Sequence, residues 1–308
     1  MKQEATKLLQ EYIDRMQDKG ITPTMEDLNG KLGEIFHEQN NAPRADFEGY
    51  SSLEMHNILH FTFDKDSPIQ LNVLTPQEYA QIPIIRLVKR LTEIISQSGK
   101  IKLTAAGFLP VKIVQELYPF GAPDELIESS LAKLAKEADC LPVHLARLLA
   151  EVSGILKKRK GILTLTASGA KIITDDSKLF DALFKGFCRE FNWRFFDYYT
   201  DDESETIGQF GFGFSLILLS KYGNEERLNN FYAHKYFKAF PRILENVQPT
   251  YETVLNYCSN CYCLRTFDRF LYHFGLVEIK QDKSFMQEET YVKTTSLFDK
   301  LVSNSSNG

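Results

Sequence analysis

The sequence predicts a mainly α-helical fold with small β-wings (α+β), built from repeated winged-helix-like modules and helical hairpins. Apolar residues recur at helical spacing along most of the 308 residues. A phrase that ends one helix and begins a strand occurs twice, and the C-terminal part has the outline of two helices followed by a hairpin. Capping-box pairs, Thr24 with Asp27 and Ser51 with Glu54, mark two helix starts.

The repeated phrase is GKIKLTAAGFLP, residues 99–110, which returns as GILTLTASGAKI, residues 161–172. Apolar residues before each copy are spaced for one face of a helix, and Gly99 is placed to end the first of these helices. Alternating apolar residues inside each copy predict a short strand. Thr104 and Thr166 then predict N-caps for the helices that follow.

The C-terminal segment predicts a further module of the same kind. Residues 251–279 have the pattern of two helices leading into a strand, and a polar turn, KQDKSFMQEE, follows. The segment Thr290 to Thr295 then predicts a returning strand. These elements together are typical of a winged helix with a well-formed wing.

Four parts are predicted along the chain. Residues 1–45 form an N-terminal helical arm, residues 46–178 form two winged-helix-like repeats, residues 179–245 form an aromatic-rich helical region, and residues 246–308 form a C-terminal winged-helix-like module. These boundaries follow the motifs and a linker rich in Asn, Ala and Pro after the first two predicted helices.

The aromatic-rich region predicts the core of a helical hairpin. Its stripe at helical spacing consists of Phe184, Phe187, Phe191, Phe195 and Tyr198. The acidic run DDESE that follows, residues 201–205, lacks the alternating ligands and the turn glycine of a calcium loop. A solvated acidic loop is therefore expected there.

Positive charge collects in one part of the chain, although the formal net charge is −5. Residues 81–178 hold 15 Lys and Arg against 10 Asp and Glu, whereas residues 1–80 hold 7 against 14. The candidate nucleic-acid-binding residues in the basic segment are Lys100, Lys102, Lys157, Lys158, Arg159 and Lys160. Consecutive cations at a turn are suited to phosphate contacts. The alternative is a solvated turn that protects a sheet edge from pairing.

Several functional classes have no support in the sequence. The N-terminus lacks the apolar run of a signal peptide, and the longest apolar stretch, FGFGFSLILL, is too short to span a bilayer, so a cytoplasmic protein without a membrane partner is expected. Five cysteines, an odd number, predict free thiols. Cys258, Cys261 and Cys263, in CSNCYC, lack a second ligand pair for zinc, and whether they bind a metal is left open. No nucleotide-binding, hydrolase or kinase signature is present, so no cofactor is expected. An enzyme is left open without support, since it would require a deep polar pocket that the sequence does not indicate.

Several phrases together resemble a family of uncharacterised bacterial proteins, some of which carry a SEC-C type Cys/His zinc tail. The resemblance runs from Asp46 to Leu244, and LTxxGxLP and FGFSLxLL are its most specific phrases. This sequence ends YVKTTSLFDKLVSNSSNG, without such a tail. The resemblance implies one continuous family architecture and no particular catalytic residue. The phrases are FEGYSSLEMHNILH, SPIQLN, KLTAAGFLPVKIVQEL, FNWRFFDYY, FGFSLILLSKYG and FKAFPRIL.

Two non-enzymatic functions are consistent with these patterns. The first is a winged-helix regulator that binds nucleic acid through the basic segment, residues 81–178. The alternative is a protein-interaction scaffold whose winged helices dock a protein partner without binding nucleic acid. The acidic overall balance favours the scaffold, and the local excess of cations favours the regulator. The oligomeric state is left open.

Overall fold

A computed structural model of the chain describes residues 2–131, 133–199, 204–284 and 287–304. Its contacts divide the chain into two compact units, one with residues up to Gln70 and one from Leu71 to Asn304. The fold is mainly α-helical with small antiparallel β-wings, and the predicted fold class is confirmed. None of the helices in the described ranges is both long enough and apolar enough to cross a lipid bilayer.

The first unit consists mainly of three helices. Both predicted capping boxes are present: the side chain of Thr24 caps α2 reciprocally with Asp27, and that of Ser51 caps α3 reciprocally with Glu54. These reciprocal bonds satisfy amide groups that have no partner inside a helix. The elements are α1 (Lys2–Asp18), α2 (Met25–Asn41), a short 3-10 turn (Ala45–Phe47), α3 (Ser52–His60) and β1 (Ile69–Leu71), which ends one residue beyond the unit.

The second unit contains the remaining elements. Its helices are α4 (Pro76–Tyr79), α5 (Pro83–Ser98), α6 (Val111–Leu117), α7 (Glu125–Glu128), α8 (Leu141–Val152), α9 (Ala167–Ile172), α10 (Asp176–Arg189), α11 (Phe212–Tyr222), α12 (Asn229–Ala239), α13 (Val254–Cys263) and α14 (Ser296–Leu301). A π-helical segment, Leu264–Leu271, continues α13. Its strands are β2 (Ile101–Lys102), β3 (Leu156–Arg159), β4 (Ile162–Leu165), β5 (Arg227–Leu228), β6 (Val277–Ser284), β7 (Gln287–Thr294) and β8 (Val302–Asn304).

Two stretches of this unit repeat one order of elements: a helix, a short strand, two further helices and a hairpin. In the first module, residues 83–165, these are α5, β2, α6, α8, β3 and β4, with the single-turn α7 between α6 and α8. In the second module, residues 212–294, they are α11, β5, α12, α13 with the π-helical segment, β6 and β7. The sheets have matching strand orders, β2–β4–β3 and β5–β7–β6, and all pairs are antiparallel.

The two copies of the repeated phrase lie side by side in one sheet. Ile101 of the first copy is opposite Leu163 of the second, and Lys102 is opposite Ile162. In the second module, β5 pairs with β7 across the predicted boundary after residue 245. The four-part division of the chain stays a prediction.

After the strands, the two copies of the phrase take different conformations. The Thr166 hydroxyl accepts a hydrogen bond from the amide of Gly169 at 2.7 Å and caps α9, so this predicted cap is confirmed. The Thr104 hydroxyl accepts from the amide of Phe108 at 3.1 Å within a turn, so the predicted helix cap at Thr104 is wrong. Gly107 has a φ of +83° in that turn, and α6 begins only after Pro110. A left-handed residue of this kind breaks a helix.

The aromatic stripe forms the core between α10 and the π-helical segment. Phe187 stacks on Phe270 with ring centroids 4.9 Å apart, and Phe184 meets Phe274 edge-on. The last two positions of the predicted stripe are wrong, because Phe195 is 58% exposed and Tyr198 is 95% exposed. The reason is that α10 ends at Arg189 and a separate 3-10 turn, Trp193–Phe196, changes the direction of the chain.

Two predicted loops fall partly outside the described residues. Positions 201–203 of the predicted acidic loop are not among them, and neither are positions 285–286 of the predicted C-terminal turn. The hairpin that contains the second turn is described on both sides, from Val277 to Ser284 and from Gln287 to Thr294.

Candidate functional site

The hairpin of the first module carries four of the predicted site residues. Its strands β3 and β4 are joined by only two residues, Lys160 and Gly161, whose φ angles are +50° and +72°. Positive φ at both central residues is the pattern of the type I′ turn, which suits the twist of a two-stranded hairpin. Glycine adopts this conformation freely, whereas a lysine rarely does. The turn therefore holds Lys160 at the exposed tip of the hairpin.

Three of the cations form a row on one face of the sheet. Lys102 of β2 and Arg159 of β3 are both opposite Ile162 of the central strand β4, and Lys157 is opposite Thr164. Directly opposed residues of an antiparallel sheet share a face. Residues two apart in a strand also share a face. We call this set, Lys102, Lys157 and Arg159, the outer row; all three side chains are exposed.

Lys158 lies on the opposite face of the sheet. It is opposite the buried Leu163, and its Nζ donates a hydrogen bond to the carbonyl oxygen of Gly107 at 3.3 Å. A Cβ added at Gly107 would lie 2.7 Å from this Nζ. The four consecutive cations predicted as one cluster thus divide between two faces and the hairpin tip. Lys100 is exposed just before β2.

The six candidate cations have no carboxylate partners among the residues that the structure describes, a property they share with Lys112, Lys133 and Lys171 of the basic segment but not with its paired cations. Lys89 pairs with Asp176 and Arg90 pairs with both Glu93 and Glu116. Exposed cations without a local counter-ion produce an uncompensated positive potential, which attracts anions from solution. The outer row is therefore the strongest candidate for an anion-binding surface in this module.

The helix that precedes this hairpin is buried, which the sequence did not predict. Most of α8 is enclosed in the second unit, and Arg147 on it donates from Nε to the buried carboxylate of Glu137 at 2.5 Å. Glu137 also accepts a hydrogen bond from the amide of Leu109. The spacing of Arg147 and Glu151 was a visible signal for a helical ion pair. The burial of Glu137 had no signal in the sequence.

Burial of α8 also makes the stability of the fold depend on pH, through His144. Desolvation, with the nearby charge of Arg147, lowers the pKa of His144 to about 4. Glu137 lies 3.9 Å from the ring, but Arg147 already compensates its charge. Since an unfolded histidine has a pKa of about 6.5, unfolding at acidic pH takes up a proton.

We expect the protein to lose stability as the pH falls from about 6.5 towards 4. At about pH 5 the loss through His144 alone is about 2 kcal/mol. Urea unfolding at about pH 7.5 and pH 5 should therefore show a smaller acid loss for His144→Gln than for the wild type. His234→Gln, which changes an exposed histidine of α12, is the control and should behave as the wild type. An equal acid loss in His144→Gln and the wild type contradicts the prediction.

The cysteines of CSNCYC lie within α13 and are buried. Burial raises the pKa of Cys261 and of Cys263 well above the usual value for a thiol, which keeps both in the neutral form. A zinc ligand is the thiolate. Within the described ranges no group of three His, Cys, Asp or Glu side chains is placed to hold a metal ion. All five cysteines of the chain are buried.

Comparison with known proteins relates part of the chain to a protein family. Residues 80–178 match the family model of the Y4jL N-terminal domain, and this segment contains the whole first module with its six candidate cations. It lies inside the range of the family resemblance found in the sequence and supports that resemblance for about a third of the chain. No curated protein and no solved structure matches the chain.

Proposed function

We propose that the protein binds nucleic acid through the phosphate backbone, using the outer row of the first module. The observation that carries the proposal is the alignment of Lys102, Lys157 and Arg159 on one exposed sheet face, without carboxylate partners in the described chain. Lys160 at the hairpin tip and Lys100 beside β2 extend this surface. Neutralising several phosphates releases condensed counter-ions and gives affinity without base contacts.

The order of elements in each module supports a winged-helix assignment, and it also limits the mode of binding. In helix-turn-helix proteins the second helix of the motif lies in the major groove and reads base edges. The helix in this position of the first module is α8, and eight of its twelve residues are buried. Contacts to phosphates position a protein on nucleic acid but carry no direct sequence information. We therefore propose binding that is largely independent of sequence.

The hairpin of the second module is a poor candidate for the same role. Its described charges alternate in sign, with Glu278 and Asp282 beside Lys280 on β6. Lys280 pairs with Glu226 at 3.1 Å, and the Tyr291 hydroxyl donates to Glu289. Mixed and paired charges give little net attraction for a polyanion. The proposal therefore assigns binding to the first module alone.

Fluorescence anisotropy with random-sequence duplex and single-stranded DNA tests the proposal. Across about 50 to 300 mM salt, three to four phosphate contacts predict a slope of log K against log salt of about −3 for duplex DNA. The variant Lys102/Lys157/Arg159→Ala should lose nearly all of this slope and bind at least about a hundredfold more weakly at the low-salt end. Lys158→Ala, which removes the cation on the opposite face, should have a smaller effect.

The matched control removes the same charge from exposed cations that already have carboxylate partners. These are Lys136, Lys178 and Lys280, paired with Asp139, Asp175 and Glu226. Lys136/Lys178/Lys280→Ala should keep the wild-type affinity and slope. If the wild type does not bind at low salt, or if both triple variants lose equal affinity, the nucleic-acid proposal fails. The interaction scaffold then becomes the function to test, by affinity capture of protein partners.

Two further expectations belong to this proposal. A cytoplasmic location fits five buried cysteines that are not joined in disulfides, because disulfides are rare in a reducing compartment. We also expect the chain to be related to bacterial proteins with a SEC-C type tail over the whole range from Asp46 to Leu244, which is wider than the matched residues 80–178. The phrases in that range are its support.

A further inference from the structure

A cleft of about 740 Å³ lies in the second unit, where the two modules face each other. One side is formed by α7 and the start of α8, and the other by the π-helical segment and β6. The volume is in the range of pockets that bind small molecules. The lining residues are Pro123, Asp124, Glu125, Leu126, Leu141, Pro142, Leu264, Asp268, Arg269, Tyr272, His273, Ile279 and Gln281.

The polar groups of this cleft come from one stretch of irregular helix. The π-helical segment runs from Leu264 to Leu271 and contributes Asp268 and Arg269, and His273 follows within one turn. The π-helical conformation is rare and is frequently found at functional sites. All three side chains line the cleft.

Arg269 has no hydrogen bond or ion pair with any residue that the structure describes, and its Nε is buried. Two fully buried arginines are paired: Arg147 binds Glu137, and Arg265 binds Asp197. Leaving a desolvated guanidinium without a partner is unfavourable, and a carboxylate is the group that best matches its planar donors. A ligand carboxylate would supply the missing partner.

Two neighbouring groups also lack partners within the described chain. Asp268 makes no hydrogen bond or ion pair there, and burial raises the pKa of its carboxyl group to about 6. His273 is only 4% exposed, and its Nε2 has no hydrogen-bond partner. Buried polar groups in proteins are nearly always hydrogen-bonded, so the two buried nitrogens without partners in this cleft, Arg269 Nε and His273 Nε2, need a physical explanation.

The charges of the lining restrict the ligand further. Asp124 and Glu125 on α7 add two carboxylates to that of Asp268, against the single cation Arg269. This excess of negative charge opposes phosphates and other polyanions and favours a ligand that also brings a positive group. The remaining walls are apolar, formed by Leu126, Leu141, Pro142, Leu264 and Ile279.

We infer that the cleft binds a zwitterionic small molecule, an α-amino acid or short peptide with an apolar side chain. Arg269 binds its carboxylate, Asp268 binds its ammonium group, and the apolar walls hold its side chain. His273 Nε2 completes the hydrogen bonding of the polar end. This site shares no residue with the outer row, so it stands or falls separately from nucleic-acid binding.

The test uses the full chain and a panel of the common amino acids with the dipeptide L-leucyl-L-phenylalanine. Thermal shift identifies the best ligands, and isothermal titration calorimetry measures their affinity. For each ligand, the N-acetyl derivative removes the positive charge and the C-terminal amide removes the negative charge. Each derivative should bind at least about tenfold more weakly than its parent, and inorganic phosphate should not bind.

Two variants assign the contacts. Arg269→Gln should weaken the parent ligand at least about tenfold but should bind the C-terminal amide as the wild type does. Asp268→Asn should weaken the parent ligand at least about tenfold but should bind the N-acetyl derivative as the wild type does. Arg242→Gln, which changes an exposed arginine after α12, is the control and should leave binding unchanged. Because Arg269 has no partner in the described chain, Arg269→Gln should fold and be at least as stable as the wild type.

Three results would overturn the inference. They are no binding by any member of the panel, equal binding of a parent ligand and its derivatives, and wild-type affinity in Arg269→Gln. A large loss of stability in Arg269→Gln, measured by urea unfolding, would also contradict it, because the side chain would then have a structural partner.

Discussion

Replacing Arg265 with methionine should lower the free energy of unfolding by about 3–5 kcal/mol. Arg265 is fully buried, and its Nε donates to Oδ2 of Asp197 at 2.5 Å. Its Nη1 donates to the carbonyl oxygens of Ser204 at 2.6 Å and Ile207 at 3.2 Å. Without the arginine, the Asp197 carboxylate loses its counter-charge and both carbonyl groups lose a hydrogen-bond donor. Urea denaturation, followed by tryptophan fluorescence from the buried Trp193, measures the loss.

Two further variants separate this cause from a general effect of losing an arginine. Arg159→Met changes an exposed side chain and should alter stability by less than about 0.5 kcal/mol. Asp197→Asn combined with Arg265→Met removes the uncompensated charge and should recover part of the stability lost in the single variant. A loss below about 1 kcal/mol in Arg265→Met would show that the buried pair contributes little.

Replacing Gly169 with alanine should destabilise the protein by about 3 kcal/mol, although alanine normally strengthens a helix. Gly169 lies in α9, and a Cβ at this position would lie 2.2 Å from the backbone oxygen of Ile155. A backbone oxygen cannot rotate aside as a side chain can. Relief would require α9 to move away from the first hairpin, where Thr166 bonds to the carbonyl oxygen of Gly154.

The matched control is Gly30→Ala, a helical glycine of α2 with open space around the position of a Cβ. It should leave stability unchanged or raise it by up to about 1 kcal/mol, as expected from helix propensity alone. Thermal unfolding of both variants gives the comparison. If Gly169→Ala unfolds at the wild-type temperature, the close approach to Ile155 is not a constraint on the fold.

Local features of the fold were predictable because their causes lie within a few residues. The capping boxes at Thr24 and Ser51 and the cap at Thr166 depend on side chains that bond to amides three positions ahead. The C-terminal hairpin was predictable from two strand-like segments on either side of a polar turn. The cap predicted at Thr104 is absent because Gly107 lies in a turn and the helix begins only at Val111, after Pro110. The sequence around Thr104 is nevertheless similar to that around Thr166, which does cap a helix.

The candidate sites were predictable only in part. The six cations stood out in the sequence, but their division between the outer row, the opposite face and the hairpin tip depends on strand pairing. The cleft had no sequence signal, because Asp268, Arg269 and His273 match no motif and the sequence pattern there predicts a regular helix rather than a π-helical segment. Their lack of partners is a property of everything packed around them.

The sequence by itself determined that the fold is mainly helical, where α2, α3 and α9 begin, and where positive charge collects, because these depend on neighbours along the chain. Only the tertiary structure decided that the two copies of the repeated phrase share one sheet, that α8 is buried, and that Arg269 is left unpaired. These outcomes depend on contacts between distant residues, such as Ile101 with Leu163. Such contacts form when many segments bury apolar surface together, so they cannot be predicted from any single segment.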